Sequence, residues 1–320
     1  MYDTIKMHLN PLYFERTYLG AFFNYVDSET QTIIQTNTGE LLKGKIKNIE
    51  IIASNRGVTV YGSLPKYLHG NNVGEFHRVE VEQSVNELSE RLRLSLEHAK
   101  VSRIDIGANI EVTKPVEMYL PYLGVLPRWQ RQEMTPRSLY YNSNENRDTR
   151  IIQFYDKVAE LKKTDKTLFW EYAKKYLIRY ELRYLQRVQT YFKQPVTGAL
   201  LCDADFYNSI VDRWGQMFNQ IKINRNMGNI VDFIGDTVKE NILAEIGKVF
   251  LFGGYDKYME ALKAARKSEG GKLEESEYKY RRRKARIAFE NKKIFADSEL
   301  IAELTKKIAD RVEKEKGQIC

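Results

Sequence analysis

The chain has 320 residues, 42% hydrophobic and 29% charged, with 51 Lys and Arg against 43 Asp and Glu for a net charge of +8. This composition fits a globular protein with core enough for about two domains. It has no apolar run near the ~20 residues of a membrane helix and no signal-peptide core in its opening MYDTIKMHLN, so a cytoplasmic protein away from the membrane is expected. Cys202 and Cys320 form no CxxC pair, which excludes a cysteine zinc site and argues against a disulfide framework, while the positive charge suits a polyanion such as nucleic acid.

Asp3–Leu9 alternates, with Ile5, Met7 and Leu9 on one face, and reads as a first strand. Thr32–Gln35 and Leu41–Ile52 are further strands, joined through Asn37-Thr-Gly39. Val58–Tyr61 is another, running into Gly62–Asn72, a glycine- and asparagine-rich stretch read as a turn-forming or ligand-facing loop. Ser84–Ala99 is predicted as a helix with Ser84 and Glu87 as its capping box and Val85, Leu88, Leu92 and Leu96 as its buried stripe.

Val101–Val112 follows as a strand, its Ile104, Ile106, Ala108 and Ile110 expected under that helix and Arg103, Asp105, Gly107, Asn109 and Glu111 on the other face. Asp105 is either a solvated residue of an open sheet face or a hard oxygen ligand for Mg²⁺ or Mn²⁺. Lys114–Pro136 holds four of the seven prolines and reads as a long functional loop, in which Arg128, Trp129 and Arg131 either contact a nucleic-acid strand or, for Trp129, simply pack. Ser138–Tyr141 and Ile151–Lys157 read as a hairpin around Asn142–Arg150. Within its second strand Tyr155 and Lys157 would share a face about 7 Å apart, a phenol beside an ammonium suited to attack on a phosphodiester.

Leu177–Leu185 alternates again, with Arg179, Glu181 and Arg183 together. They form either a structural ladder or a carboxylate metal ligand flanked by phosphate-binding arginines. Gln194–Gly198 marks the expected boundary between a domain of residues 1–197 and a helical domain of residues 198–320. Helices are predicted over Asp205–Ile221, burying Phe206, Ile210, Trp214 and Phe218, then over Thr237–Phe252, Tyr255–Lys267, Lys272–Lys293 and Ala296–Lys316. Lys279, Arg281, Arg282, Arg283, Lys284 and Arg286 lie on about two turns, as a solvated face or a phosphate-backbone contact.

VTVYGSLPKYLHGNNV at 58–73, SRIDIGANIEV at 102–112, SLYYNSNE and IIQFYDKVAEL within 138–161, and LIRYELRYLQRVQTYF at 177–192 occur in an order that resembles the gene II/X family of phage and plasmid replication proteins, as does the opening MYDTIK. The resemblance covers roughly residues 1–195. It implies an α+β fold of HUH-endonuclease type, with a central antiparallel sheet, helices on one face, and Asp105, Tyr155 and Glu181 on the open one, followed by the helical domain. It implies a rolling-circle initiator that nicks and rejoins one strand of origin DNA through a 5′-phosphotyrosine. Tyr155 stands in the family's Y-x-K segment with Lys157, the strand aspartate is Asp105, and the Arg-aromatic-Glu-x-Arg strand supplies Arg179, Glu181 and Arg183. The paired histidines for which HUH enzymes are named are missing, so Asp105 and Glu181, with His8 or His69, are the expected Mg²⁺ or Mn²⁺ ligands. Expected DNA contacts are Arg103, Arg128, Trp129, Arg131, Arg179, Arg183 and the C-terminal basic cluster. Expected partners are origin DNA, single-stranded at the nick and duplex nearby, with a host helicase and polymerase. The alternatives are a non-enzymatic origin-binding protein, a water-activating nuclease, and a mobilisation relaxase or transposase.

Overall fold

The structure is a computed structural model that describes residues 1–15, 17–37, 39–143, 149–224, 226–227, 255–267, 274–290, 295–296 and 299–317. The predicted Thr237–Phe252 helix lies outside these residues, as does most of the Asn142–Arg150 tip. Ten strands form one sheet: β1 (Tyr2–Leu9), β2 (Thr32–Thr36), β3 (Gly39–Ile46), β4 (Ile49–Ser54), β5 (Gly57–Ser63), β6 (Lys100–Val112), β7 (Trp129–Thr135), β8 (Ser138–Ser143), β9 (Arg150–Asp156) and β10 (Tyr176–Tyr184). The order is β2-β3-β4-β5-β1-β6-β10-β9-β8-β7, and every neighbouring pair is antiparallel. This is the mixed helix-and-strand class with a large antiparallel sheet, and its described C-terminal elements are mainly helices.

Period-2 alternation places strand residues on two faces, and the register makes each face of the central strands a set of rows. Ala108, Tyr180, Phe154 and Leu139 form one apolar row, and Ile106, Leu182, Ile152 and Tyr141 another. The Ala204–Asn219 helix closes over them, burying Phe206, Ile210, Trp214 and Phe218 as its periodicity predicts. Tyr180 stacks between Phe154 and Trp214, with centroids 4.5 Å apart on each side. Its hydroxyl donates to the Trp214 carbonyl at 2.8 Å, satisfying a buried polar group. The Glu299–Lys316 helix packs against Ala204–Asn219 and β6, adding Ile301, Leu304 and Ile308 to the same core. The core therefore runs across residues 197 and 198 and reaches the end of the described chain.

Several elements differ from their sequence expectation. Leu41–Ile52 is two strands, reversed at Lys47-Asn48 with Lys47 at φ 53°. The helix expected over Ser84–Ala99 runs Arg78–Leu92 instead. Glu80 accepts from the His77 backbone N–H at 2.7 Å, so the reciprocal cap sits seven residues earlier, and Ser84 donates to the Glu80 carbonyl inside the helix. Arg93, at φ 54°, ends it. The apolar face of β6 is covered mainly by the C-terminal helices and by Val188–Phe192. The Gly62–Asn72 stretch contains a helix, Leu64–His69, capped by the Ser63 hydroxyl and closed by Gly70 at φ 78°. That helix and Lys157–Thr164 lie against β1 and β10 respectively, so helices are not confined to one face. Of the prolines of 114–136, Pro115 and Pro121 sit at short 3₁₀ turns and Pro127 in the turn that enters β7, an edge strand, while Pro136 lies in the turn from β7 to β8.

Trp214 anchors the helical cover to the sheet, so Trp214→Ala is expected to cost about 3–5 kcal/mol, read from denaturant unfolding midpoints. A loss under about 1 kcal/mol would mean that this helix is not packed on the core.

Candidate nucleic-acid cleavage site

The other face of the central strands carries the polar rows. Asn109, Arg179, Tyr155 and Ser138 align across β6, β10, β9 and β8; Gly107, Glu181, Gln153 and Tyr140 form the next row; Asp105 and Arg183 begin the third. Tyr155, Glu181 and Asp105 thus come together on one face, as expected. The face is not open at its centre: Arg179 and Glu181 are each only 3% exposed. Gly107 makes room for this packing, since a Cβ there would lie 2.8 Å from the Glu181 Cγ.

Arg179 is the hub. Its Nη2 donates to Asp3 Oδ2 at 2.5 Å and its Nε to Glu181 Oε1 at 3.0 Å, and Nη1 reaches the Asn72 carbonyl at 3.4 Å. Asp3 also accepts from the Ser63 hydroxyl at 2.5 Å and from Asn72 Nδ2 at 3.0 Å. Burial alone would raise the Asp3 carboxyl, but Arg179, Ser63, Asn72 and Lys157 together hold it below its ordinary value. Burial works against the Arg179 charge too, yet Asp3 and Glu181 keep the guanidinium firmly protonated. The sequence suggests no site role for Asp3, and Ser63 and Asn72 fall only within the Gly62–Asn72 stretch read as turn-forming or ligand-facing. The strand pattern of MYDTIK and the asparagines of GNN were visible, but only the fold joins them.

Glu181 is fully engaged. Arg179 Nε and the Tyr155 hydroxyl, at 3.2 Å, share Oε1, while Arg183 Nε and Nη2 donate to Oε2 at 2.8 and 2.5 Å. Both Asp105 oxygens accept from Arg103, at 2.9 and 2.6 Å, and Arg183 lies 3.9 Å from Oδ2. Burial nevertheless raises the Asp105 carboxyl. The Tyr155 phenol is raised well above its ordinary value, by burial first and then by Glu181, with Arg179 acting in the opposite direction.

Lys157 is not the strand neighbour that the sequence suggested. β9 stops at Asp156, whose Oδ1 accepts from the Ala159 N–H at 2.9 Å and caps the helix that begins at Lys157. The change of element turns Lys157 inward, where Nζ donates to Asn72 Oδ1 at 2.8 Å and Glu160 Oε2 at 2.5 Å. Burial lowers its pKa, partly offset by Glu160.

A divalent cation needs several oxygen ligands with free lone pairs, and a carboxylate offers about four. All four directions of Glu181 meet N–H or O–H donors, and both Asp105 oxygens are held by one guanidinium. His69 instead pairs with Glu80 at 2.8 Å, and His8 reaches Thr59 and the Arg56 carbonyl. Among the described residues no group of three or more His, Cys, Asp or Glu is placed to hold a metal. The expected Mg²⁺ or Mn²⁺ set of Asp105, Glu181, His8 and His69 does not fit this arrangement.

Of the expected DNA contacts, Arg183 lines a groove of about 1060 Å³ whose lining also includes Tyr155, Tyr140, Gln153, Lys162 and Lys163. Arg179 and Arg103 serve carboxylates within the sheet. Arg131 holds the Leu123 carbonyl at 2.8 Å and so braces the 114–128 segment, while Trp129 lies half-buried against the core beneath Arg150. Arg128 is exposed beside them. Lys279, Arg281, Arg282, Arg283, Lys284 and Arg286 lie on the Glu275–Glu290 helix, which packs on Tyr255–Lys267 through Tyr278 and Ala285. Arg281 and Lys279 pair with Glu277 and Glu275 on their own helix.

The groove is lined by five basic and three acidic side chains and reaches a tyrosine held by carboxylate and guanidinium groups. Residues 34–210, more than half of the chain, match the family defined by the N-terminal region of the phage gene II replication-associated protein. The chain belongs to this gene II family of phage replication proteins. No curated protein matches it significantly. Among the described residues no helix is long and apolar enough to cross a membrane.

Breaking the hub while leaving its partners buried is expected to be costly: Arg179→Met should lose about 3–5 kcal/mol in urea unfolding. Asp3, held low in the fold, contributes stability that is present above the ordinary carboxyl pKa of ~3.9 and lost as pH falls through its folded value. The stability gap between wild type and Asp3→Asn should therefore be widest at neutral pH and narrow below about pH 4. A gap constant across that range would remove Asp3 from the network.

Proposed function

We propose that this protein is a rolling-circle replication initiator that nicks and rejoins one DNA strand at the origin, with Tyr155 as nucleophile. The observation that carries the reading is the 3.2 Å contact from the Tyr155 hydroxyl to Glu181 Oε1 at the edge of a basic groove. Family membership supports the replication role, and the chemistry is that of an HUH-type nicking enzyme without the paired histidines.

At neutral pH the buried phenol keeps its proton, so attack requires a base in contact with it. Glu181 is that base. The Tyr155 proton passes to Glu181 Oε1 as the phenol oxygen forms a bond to phosphorus and the phosphorus–O3′ bond breaks. The DNA 5′-phosphate is then joined to Tyr155, and the departing 3′ oxygen takes a proton from solvent to become the free 3′-OH that a host polymerase extends. Glu181 later releases its proton to water. Neutralising Glu181 leaves Arg179 and Arg183 less fully occupied, and their charge is then available to the phenolate and to the phosphate oxygens as negative charge builds there. Arg183, at the groove, is placed for the phosphate; Arg179, behind it, positions Glu181. The phosphotyrosine conserves the energy of the cleaved bond, so reversal by the 3′-OH rejoins the strand.

The test is a denaturing gel of protein incubated with labelled single-stranded DNA from its own element's origin. A covalent adduct should form with wild type and vanish with Tyr155→Phe, and Glu181→Gln should slow its formation about 10²–10⁴-fold. Free nicked ends that persist in Tyr155→Phe would instead indicate an activated water. Strand binding with neither product would leave an origin-binding protein.

A further inference from the structure

The helical hairpin after β9 has no assigned role. From Lys157 to Tyr176 it carries six lysines against three acidic residues. Leu168, Phe169 and Tyr172 turn inward onto Val158, Leu161 and Leu177. Trp170, on the same short helix, turns outward and is 75% exposed, the most exposed of the chain's large aromatic side chains among the described residues. Its ring lies 5.2 Å from that of Phe169, which lines the groove leading to Tyr155. Lys162 stands over Phe169 at 5.8 Å, and the exposed Lys163 is beside it on the groove wall. At the Tyr155 end of the groove, Gln153 is 7% exposed and its Oε1 has no hydrogen-bond partner, although its Nε2 donates to the Tyr140 hydroxyl. A buried acceptor without a donor is costly, and Gln153 belongs to the groove lining.

Two features separate a single strand from a duplex. An exposed indole can stack only on a base whose face is uncovered, which duplex bases do not offer. Lysines alternating with aromatic rings follow a sugar–phosphate backbone while its bases stack. We infer that the Lys157–Tyr172 hairpin is a single-stranded DNA track that carries the strand flanking the scissile phosphate from Tyr155 outward, with Trp170 as its stacking platform. This rests on the nicking reading above and names the segment of the chain that guides the strand to that site.

The test is fluorescence anisotropy with the full chain, using a labelled 20-nucleotide mixed-sequence single strand and its duplex over a salt series. Because Trp170 packs against little, Trp170→Ala should fold normally. It should weaken single-strand binding about tenfold and leave duplex binding unchanged. The double variant Lys162→Ala/Lys163→Ala should reduce the slope of log affinity against log salt by about 1.4 for the single strand. Single-strand affinity and slope that both variants leave intact would overturn the track, as would an equal loss on duplex. The wild-type adduct gel keeps the two readings apart: adduct with unchanged variant binding sinks the track alone, whereas the predicted variant losses without adduct would sink the nicking reading and keep the track.

Discussion

The Arg179 guanidinium, clasped between Asp3 and Glu181, is the constraint around which the site is built. One cation neutralises two buried carboxylates from different parts of the chain, β1 and its own strand β10. Asp3 belongs to a strand at the middle of the sheet and also receives Asn72 and Ser63, so the polar face is tied to the Leu64–His69 segment above it. Buried ion pairs of this kind add little net stability over an apolar core, but they are costly to break singly. Their effect here is to fix Glu181 in one orientation, and through it the Tyr155 hydroxyl.

That arrangement sets what the tyrosine can do. A phenol facing a carboxylate in a poorly solvated place resists ionisation. Arg179 and Arg183 stand on either side of the same carboxylate, so in the proposed reaction movement of one proton from Tyr155 to Glu181 would shift their charge from the acid toward the developing anion. Three arginines and three carboxylates, Asp3, Asp105 and Glu181, make a nearly balanced set in which small proton movements have large local consequences. The basic groove lies where this set reaches solvent.

The sequence made the sheet and one half of the site legible because strand alternation is a strong signal. It put Arg179, Glu181 and Arg183 on one face, Asp105 on the matching face of β6, and Tyr155 beside them. The amphipathic stripe of Phe206, Ile210, Trp214 and Phe218 was equally plain. Lys157 was misplaced because alternation continues formally through Tyr155-Asp156-Lys157, while Asp156 is also a good N-cap and changes the period there. The Arg78–Leu92 helix was shifted because Ser84 and Glu87 match the capping pattern as well as the cap actually used, His77 and Glu80. Leu41–Ile52 looked continuous because its reversal at Lys47-Asn48 contains no glycine or proline. Asp3 and Asn72 stand 69 positions apart, and no local pattern pairs them. The carboxylate positions were readable, but the arginines that occupy their lone pairs depend on register across three strands.

The most direct measurement is to locate the covalent bond itself. Wild-type protein reacted with single-stranded origin DNA, trimmed with nuclease and digested with trypsin, would be analysed by tandem mass spectrometry. A nucleotide attached to Tyr155 within the peptide Ile151–Lys157 is the expected result. A nucleotide on any other tyrosine, or strand cleavage with no modified peptide, would contradict it.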